Sequence, residues 1–225
     1  MRVGRPQLTS RKALHTRAAP SACWLVIMAR LPVMGRVKTR LAREVGAVEA
    51  TRFYRHTLRT VVCRLGRDPR WRTVLAVSPD AAIGARGWPA GAARMPQGRG
   101  DLGRRMQRLV EAPPPGRVLV VGTDIPGIRP AHIAGAFRLL GSHDAVLAPA
   151  GDGGYWLVGL RRVPPTTCPF TGVRWSSPHA LADTCANLAA SGARVGMAAL
   201  LHDVDTSADL RRMGPASGRV VPSRG

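Results

Sequence analysis

The stretch RVLVVGTDIPGI, residues 117–128, decides the fold class more than any other part of the chain. Its four apolar residues 118–121 predict a buried strand, and Gly122 and Pro126 mark where that strand ends. Asp124 therefore follows the carboxyl end of a strand, where open α/β sheets bind their ligands. A carboxylate in this position can hold a divalent metal against phosphate oxygens, because hard cations prefer oxygen ligands. The alternative is that Asp124 only caps the turn before a helix that begins near Pro130.

Strand and helix patterns alternate on both sides of this stretch. The further predicted elements are strands over 23–29, 73–77 and 194–201, and helices over 48–65, 101–111, 130–140 and 178–191. This alternation predicts a doubly wound, mostly parallel α/β sheet. Two more strand patterns, at 145–148 and 155–160, are joined by a short glycine-rich turn and predict an antiparallel element. Residues 81–100, which are rich in Gly, Ala and Pro, are predicted to form a loop.

The length and composition predict one folded domain. A chain of 225 residues that is 45% hydrophobic can bury one sizeable core, which we place at residues 23–213. Residues 1–22 are basic, contain no acid and lack the apolar core of a secretory signal, so export is not expected. We interpret them as a disordered extension or as an over-called start. Residues 214–225 are expected to form a frayed tail. The four cysteines show no disulfide or zinc spacing, and no apolar run approaches the length of a membrane span, which together predict a cytoplasmic protein.

The net charge of +21 invites comparison with nucleic-acid-binding proteins. However, 32 of the 34 basic residues are arginines, a skew typical of GC-rich coding, and they are scattered along the chain. Aromatic residues that could stack on bases make up only 4%. Nucleic-acid binding therefore remains a distant alternative, and the charge suits a small polyanion such as a nucleotide or a sugar phosphate.

The loop after the first strand contains Lys38, flanked by Arg36 and Arg40. Alternating cations at the start of a helix favour phosphate binding, because the backbone amides there already attract anions. Lys38 is also the only lysine of the predicted domain, which suggests that a compact point charge is needed there. The alternative is a solvated cluster of surface charges. A Walker loop is excluded, because its glycine and lysine spacing does not occur.

Residues 98–103, GRGDLG, match the pattern of a dinucleotide-binding loop literally. That interpretation needs a strand directly before the glycines, and the sequence predicts a Pro-Gln turn there instead. A different function is expected for Gly98, Gly100 and Gly103: they let the backbone approach a flat ligand closely. Gln97 would then offer amide contacts to the edge of a base.

Two further segments supply carboxylates. Asp152 lies among three glycines between two predicted strands, where it could bind sugar hydroxyls or act as a general base, with Gly153 and Gly154 leaving room for a sugar. The alternative is an ordinary hairpin turn. Asp203 and Asp205 follow the last strand, and one of them could reach a metal while the other makes structural contacts. Both could also be purely structural. The nearby Thr206 is predicted to cap a short final helix.

Six of these segments occur together, in a fixed order, in one family. They are KTRL at 38–41, QGRGDLGRRM at 97–106, GTDIP at 122–126, DGGYWLVG at 152–159, WS at 175–176 and DVDTSADL at 203–210. In these segments the chain resembles the bacterial GT-A-like transferases associated with arsenosugar or radical-SAM proteins. That family is related to the molybdenum-cofactor and 2-phospholactate guanylyltransferases. The resemblance covers about residues 24–212.

The resemblance implies a nucleotide-diphospho-sugar transferase fold that uses Mg or Mn. It implies that Lys38 and Arg40 bind the nucleotide phosphates, and that Gln97 and the glycines of residues 98–103 face the base. It also implies that Asp124 and Asp205 hold the metal. The expected partners are a nucleotide or nucleotide-sugar and a small acceptor molecule.

Two chemistries are compatible with this resemblance. In glycosyl transfer, the metal stabilises the departing diphosphate of a nucleotide-sugar. In nucleotidyl transfer, a sugar phosphate or a phospho-acid attacks an NTP, and Lys38 stabilises the developing charge. Typical sugar-nucleotide pyrophosphorylases carry several glycines before this lysine, whereas here Gly35 is the only one. That difference favours glycosyl transfer, with Asp152 and Lys38 as the catalytic candidates.

Overall fold

A computed structural model describes residues 23–162 and 168–213 of the chain. The predicted extension at 1–22 and the predicted tail at 214–225 lie outside these residues. The elements occur in the order β1 (Cys23–Arg30), α1 (Thr39–Val45), α2 (Ala47–Gly66), β2 (Arg72–Ser78), β3 (Ala93–Pro96), α3 (Leu102–Glu111), β4 (Arg117–Val121), α4 (Pro130–Leu139), β5 (Ala145–Pro149), β6 (Tyr155–Arg161), α5 (Ala180–Ala190), β7 (Val195–Met197) and α6 (Ser207–Arg212).

The described strands form one seven-stranded sheet in the order β3-β2-β1-β4-β6-β5-β7. Every neighbouring pair is parallel except the two that involve β6, which runs antiparallel to β4 and to β5. A tight turn closes the β5–β6 hairpin, in which the amide of Ala150 donates to the carbonyl of Gly154 over 3.0 Å. The predicted fold class, a mostly parallel sheet with an antiparallel element, is confirmed.

Helices cover both faces of the sheet because the central strands are apolar on both sides. On β1, Leu25 and Ile27 belong to the core cluster that also contains the inner faces of α2 and α4. The alternate residues Trp24 and Val26 belong to a second cluster that contains α3. A third, smaller cluster joins α1, α2 and Val204, a residue of the segment before α6.

This topology brings four loops to one edge of the sheet. Strands β3, β2, β1 and β4 lie next to one another in the sheet, and all four run in the same direction. Their carboxyl ends therefore meet at one edge, as in other open α/β sheets. The loops that leave this edge contain Lys38, the Gln97 segment and Asp124.

The predicted loop over 81–100 is wrong in one respect, because β3 lies within it. Only four residues long and ending in a proline, β3 has too short a pattern to be recognised as a strand. It forms by pairing with β2. As a result, a strand does precede the GRGDLG segment, contrary to the sequence argument against a dinucleotide loop. The last strand, β7, is also shorter than predicted.

Candidate functional site

Lys38 lies at the N-terminus of α1, at the end of the loop that follows β1. Its backbone has φ 46° and ψ 47°, a left-handed conformation that residues with a side chain rarely adopt. Its side chain is only 5% exposed, and its ammonium lies 2.9 Å from Asp124 Oδ1. The same ammonium lies 2.8 Å from Asp205 Oδ1. Two carboxylates from distant parts of the chain therefore converge on one buried cation. We call these three residues the acid–lysine cluster.

The surroundings of Lys38 keep its side chain charged. Burial alone lowers the pKa of an ammonium, because removal from water disfavours the charged form. The carboxylates of Asp124 and Asp205 oppose this effect by charge attraction and by accepting hydrogen bonds. Their effect prevails, and the pKa of Lys38 is raised above its usual value.

Asp124 is positioned by the end of β4. It follows the buried Thr123 and precedes the buried Ile125, and 53% of its side chain is exposed. The helix that follows begins after its own N-cap, Arg129. Its carboxylate is instead paired with Lys38 and remains open to solvent on its other side.

Asp205 is positioned by the short helix α6. The carboxylate of Asp209 accepts hydrogen bonds from the backbone amides of Asp205 and Thr206, over 3.2 Å and 2.9 Å. Thr206 caps α6 in return, which confirms the predicted capping box. The start of α6 is tied to α1, because the amide of Ser207 donates to Glu44 Oε2 over 2.9 Å. These contacts hold Asp205 against the helix that carries Lys38.

The two flanking arginines of the predicted phosphate loop differ in position. Arg40 extends its guanidinium to 3.6 Å from Asp205 Oδ2 while its side chain stays 74% exposed. Arg36 is an exposed residue of the loop before α1. The structure therefore brings Arg40 to the acid–lysine cluster, whereas Arg36 lies on the surface before it.

Two further carboxylates lie close enough to influence each other. Burial raises the pKa of Asp203, and the neighbouring charges of Asp205 and Asp152 raise it further. Asp152 itself is exposed, and its Oδ1 accepts a hydrogen bond from the amide of Gly154 over 3.0 Å. Asp152 thus stabilises its own turn while facing solvent near the acid–lysine cluster.

The glycines around Asp152 do not leave the open space that the sequence suggested. A Cβ on Gly153 would lie 2.5 Å from the backbone oxygen of Pro178. A Cβ on Gly151 would lie 2.5 Å from His202 Nδ1. The expectation that Gly153 and Gly154 make room for a sugar is wrong for Gly153, because the chain before α5 already fills that space.

Gln97 lies at the end of β3 and is only 4% exposed. Its side-chain nitrogen donates to the carbonyls of Ala29 and Ala76, over 3.2 Å and 2.9 Å. These bonds tie together the ends of β1 and β2. The side-chain amide of Gln97, which we predicted to contact a nucleotide base, therefore uses its nitrogen to bind the protein's own backbone.

The glycines of residues 98–103 pack against the protein itself. Gly98 has φ +80° and Gly100 has φ +107°, so both occupy backbone conformations that favour glycine. A Cβ on Gly98 would meet the guanidinium of Arg108, and one on Gly103 would lie 2.8 Å from the backbone oxygen of Phe170. The close approach at Gly103 is made by the segment around Phe170, and contact of this glycine with a ligand stays a prediction.

Tyr54 supports the cluster from below, and the sequence analysis missed it. Its hydroxyl accepts a hydrogen bond from the amide of Arg30 over 2.9 Å and donates to the carbonyl of the same residue over 3.1 Å. The hydroxyl also lies 3.3 Å from Thr123 Oγ1. One buried side chain of α2 thereby joins the end of β1 to the residue before Asp124. Its only sequence signal is its place on the buried side of a helix, which does not distinguish it from core residues.

Comparison with known proteins places the chain in a family. The model of a family described as "Uncharacterized protein conserved in bacteria (DUF2064)" matches residues 59–177. That match spans more than half of the chain. The chain belongs to this family. No functionally curated protein matches this DUF2064 protein.

Solved structures extend the comparison to the fold. This chain is 27% identical to a protein from Desulfovibrio desulfuricans G20 that is provisionally named a nucleotide-diphospho-sugar transferase. The match covers 89% of both chains with a TM-score of 0.78. CMP:2-keto-3-deoxy-manno-octonic acid synthetase complexed with CTP is 15% identical, with a TM-score of 0.52 over 86% of this chain and 97% of that one.

A third similar structure holds both a metal and a nucleotide. It is glucosyl-3-phosphoglycerate synthase from Mycobacterium tuberculosis with Mn²⁺, UDP and glucosyl-3-phosphoglycerate. It is 11% identical, with a TM-score of 0.52 over 88% of this chain and 76% of that one. The structural neighbours therefore include both glycosyl and nucleotidyl transferases, and they share the nucleotide-diphospho-sugar transferase fold with this chain.

The chemistry of the acid–lysine cluster fits a divalent cation. Among residues 23–162 and 168–213, no three His, Cys, Asp or Glu side chains are grouped as metal ligands. Asp124 and Asp205 nevertheless converge on one positive charge, and carboxylate oxygens are the ligands that Mg and Mn prefer. The remaining ligands would come from water and phosphate, as is usual for Mg.

No helix among residues 23–162 and 168–213 is long and apolar enough to cross a bilayer.

Proposed function

We propose that the protein is a metal-dependent, cytoplasmic glycosyltransferase that uses a nucleotide-diphospho-sugar donor and a small acceptor. The observation that carries this proposal is the convergence of Asp124 and Asp205 on Lys38 at the carboxyl edge of the sheet. The 27% identity to the Desulfovibrio protein over 89% of both chains supports the same class. The finer resemblance, to arsenosugar- and radical-SAM-associated transferases, is part of the proposal.

In this proposal, Asp124 and Asp205 hold Mg or Mn. The bound metal supplies positive charge that offsets the charge developing on the departing diphosphate. Lys38 and Arg40 bind phosphate oxygens, and Arg36 adds positive charge at the mouth of the site. The backbone around Gln97, Gly98 and Gly100 lies beside the nucleoside. Gly103 belongs to the same segment, and the absence of a side chain there accommodates the segment around Phe170.

Asp152 is proposed as the residue that takes the proton from the acceptor hydroxyl. It is exposed, and its charge reaches Asp203 beside the cluster. In glycosyl transfer with inversion, a carboxylate near the acceptor serves as general base. In nucleotidyl transfer the attacking phosphate is already an anion, so no base is required.

The second candidate is a nucleotidyltransferase that joins an NTP to a sugar phosphate or a phospho-acid. It has support from the CTP complex among the structures of the same fold. Both candidates are tested by offering the protein nucleotide-sugars with acceptor mixtures, and in parallel labelled NTPs with sugar phosphates, each with Mn²⁺. Release of nucleoside diphosphate in the first set supports the proposal. Release of pyrophosphate in the second set, with no reaction in the first, replaces it with nucleotidyl transfer.

The Asp152→Asn variant tests the proposed role of the carboxylate. Loss of a general base typically lowers a rate by about 10²- to 10⁴-fold. We expect this loss in turnover with unchanged binding of the nucleotide-sugar, measured by calorimetry. Unchanged turnover would leave Asp152 with only its turn-stabilising bond to Gly154.

A further inference from the structure

The position of the Lys38 ammonium conflicts with independent metal binding. Its nitrogen lies within 2.9 Å of one oxygen of Asp124 and within 2.8 Å of one oxygen of Asp205. A metal on the same two oxygens would occupy the place of the ammonium, because metal–oxygen distances are about 2.0 to 2.6 Å. A metal on the outer oxygens would still be separated from the ammonium by only one carboxylate group, close enough for repulsion between the two cations.

The ammonium cannot avoid this conflict by turning into water. Its side chain is 5% exposed, whereas the side chains of Asp124 and Asp205 are 53% and 36% exposed. Lys38 thus lies behind the two carboxylates, and the left-handed backbone at this residue fixes where the side chain starts. A charge that is removed from water needs a partner, so displaced Lys38 requires another anion nearby.

The balance of charge points to the anion that is required. Asp124, Asp205 and Lys38 together carry one net negative charge, which the guanidinium of Arg40 offsets from 3.6 Å away. Adding a divalent cation therefore leaves the site with two net positive charges, and adding a diphosphate offsets them. A diphosphate can also accept hydrogen bonds from an ammonium while its other oxygens bind the metal, which single-phosphate or neutral ligands do less well.

We propose that this site takes the divalent cation and the diphosphate as a pair, and that Lys38 enforces the pairing. Without a diphosphate, Lys38 serves as the internal cation of Asp124 and Asp205. With one, the ammonium exchanges the carboxylates for phosphate oxygens, and the carboxylates become available to the metal. This inference rests on the proposed function and specifies its ligand as a metal–diphosphate complex rather than free metal or free nucleotide.

Calorimetry on the full chain tests the pairing with three titrations: MnCl₂ alone, UDP alone, and MnCl₂ at saturating UDP, with GDP in parallel because the base is unknown. After correction for the Mn–nucleotide complex in solution, we expect UDP or GDP to strengthen Mn²⁺ binding by about 5- to 150-fold, the usual range of coupling between two ligands. Independent binding of metal and diphosphate overturns the inference and leaves the proposed function intact. Absence of binding in all titrations overturns the proposed function as well.

Lys38→Met sharpens the test, because it removes the charge and keeps an extended side chain. We expect this variant to bind Mn²⁺ alone about tenfold or more tightly than the wild type, since the two carboxylates lose their internal cation. It should also lose the coupling to UDP. Arg43→Met is the matched control, because it removes one charge from an exposed position of the same helix and should change neither quantity. Equal or weaker binding of Mn²⁺ by Lys38→Met contradicts the inference.

NMR spectroscopy observes the Lys38 side chain directly and needs no variant. The chain contains only two lysines, Lys12 and Lys38, so protein labelled with ¹³C and ¹⁵N in lysine gives two side-chain signals. We expect the Lys38 signal to stay unchanged on addition of MgCl₂ alone, and to shift when MgCl₂ and the bound diphosphate are added together. A shift of the Lys38 signal with MgCl₂ alone, at the same concentration, overturns the inference.

Discussion

The acid–lysine cluster and the glycine-rich segment at 97–103 lie at the same edge of the sheet, yet their polar groups are used in opposite ways. In the cluster, residues from three distant parts of the chain converge and leave two carboxylates partly open to solvent. In the glycine-rich segment, the side-chain nitrogen of Gln97 donates to two backbone carbonyls. The backbone carbonyl of Gln97 accepts a hydrogen bond from Arg108 over 2.8 Å.

The two segments differ in which of their polar groups need a hydrogen-bond partner within the protein. A carboxylate paired with a buried ammonium keeps unused oxygen lone pairs, so it can still bind a cation. A buried amide must be hydrogen-bonded within the protein, because an unpaired polar group in the core is costly. A glycine in a sequence likewise shows only that other atoms lie close to its backbone. At Gly98 and Gly103 these atoms belong to Arg108 and Phe170. The four predictions below test this contrast, beginning with the largest expected effect.

Asp124→Ala should nearly abolish metal-assisted nucleotide binding. It removes one of two carboxylates and leaves the buried ammonium of Lys38 with only Asp205 as a close partner. We expect the affinity for UDP with Mn²⁺ to fall by more than about 100-fold, beyond what loss of an outer-shell partner of a metal ligand costs. Calorimetry measures this effect. Asp68→Ala, which breaks an ion pair with Arg70 far from the cluster, should leave the affinity unchanged. Wild-type affinity in Asp124→Ala would remove Asp124 from the metal site.

Lys38→Met should weaken UDP far more than uridine. A hydrogen bond to a charged group contributes about 1.5 to 3 kcal/mol, which corresponds to about 10- to 150-fold in affinity. Uridine has no phosphate and should lose little. Competition binding at fixed Mn²⁺ measures both ligands. If both weaken equally, the substitution acts through folding of the loop, and the phosphate role of Lys38 is abandoned.

The sequence predicted the fold well because its signals are local. The apolar runs at β1 and β4 and the alternation of strands with helices define the sheet without reference to distant residues. β3 was missed because its four residues are held by pairing with β2, a tertiary contact. For the same reason, helix boundaries were predicted closely, whereas the short strand β7 was predicted too long.

The candidate site was predicted only in part. Lys38, Asp124 and Asp205 were predicted as phosphate-binding and metal-binding residues from their positions after strands and from the family resemblance. That Lys38 contacts both carboxylates could not be predicted, because Lys38 and Asp205 are 167 residues apart in the sequence. The glycines of residues 98–103 and Gly153 were assigned to ligands because sequence cannot show which atoms approach a missing Cβ.

Gly103→Ala should destabilise the fold without a specific loss of nucleotide binding. A Cβ here would lie 2.8 Å from the Phe170 oxygen and 3.1 Å from Trp175 Nε1, so α3 or the facing segment must shift. Forcing extra volume into a packed site costs about 1 to 3 kcal/mol. Urea unfolding measures the change in free energy.

Gly135→Ala is the matched control for this substitution. Gly135 also lies inside a helix, but its Cβ would meet only Arg138 NH2, at an ordinary 3.7 Å. Alanine is the better helix former by about 0.5 to 1 kcal/mol, so this variant should be as stable as the wild type or more stable. Wild-type stability of Gly103→Ala combined with weaker nucleotide binding would restore the original interpretation, in which this glycine faces the ligand.

Tyr54→Phe should weaken the cluster indirectly, and the effect is the smallest of the four. The change removes one hydroxyl and leaves the amide and carbonyl of Arg30 without this partner, which costs about 1 to 3 kcal/mol for buried groups. Because Thr123 also loses its contact, the loop that carries Asp124 should move more freely. We expect a lower free energy of unfolding together with a modest loss, about two- to tenfold, in Mn²⁺–UDP affinity measured well below the melting temperature.

The chain offers a matched control, since its only other tyrosine is Tyr155. The Tyr155 hydroxyl accepts a single hydrogen bond from Thr184 over 3.3 Å, on the face of the sheet covered by α5. Tyr155→Phe removes the same atom from a half-buried side chain whose hydroxyl is bonded to Thr184 rather than to the Asp124 loop, so it should cost about 0.5 to 1.5 kcal/mol of stability and no affinity. If both variants lose stability and neither loses affinity, Tyr54 supports only the core. If Tyr54→Phe alone loses affinity at full occupancy of the folded state, this one hydroxyl of α2 holds the Asp124 loop in place for binding.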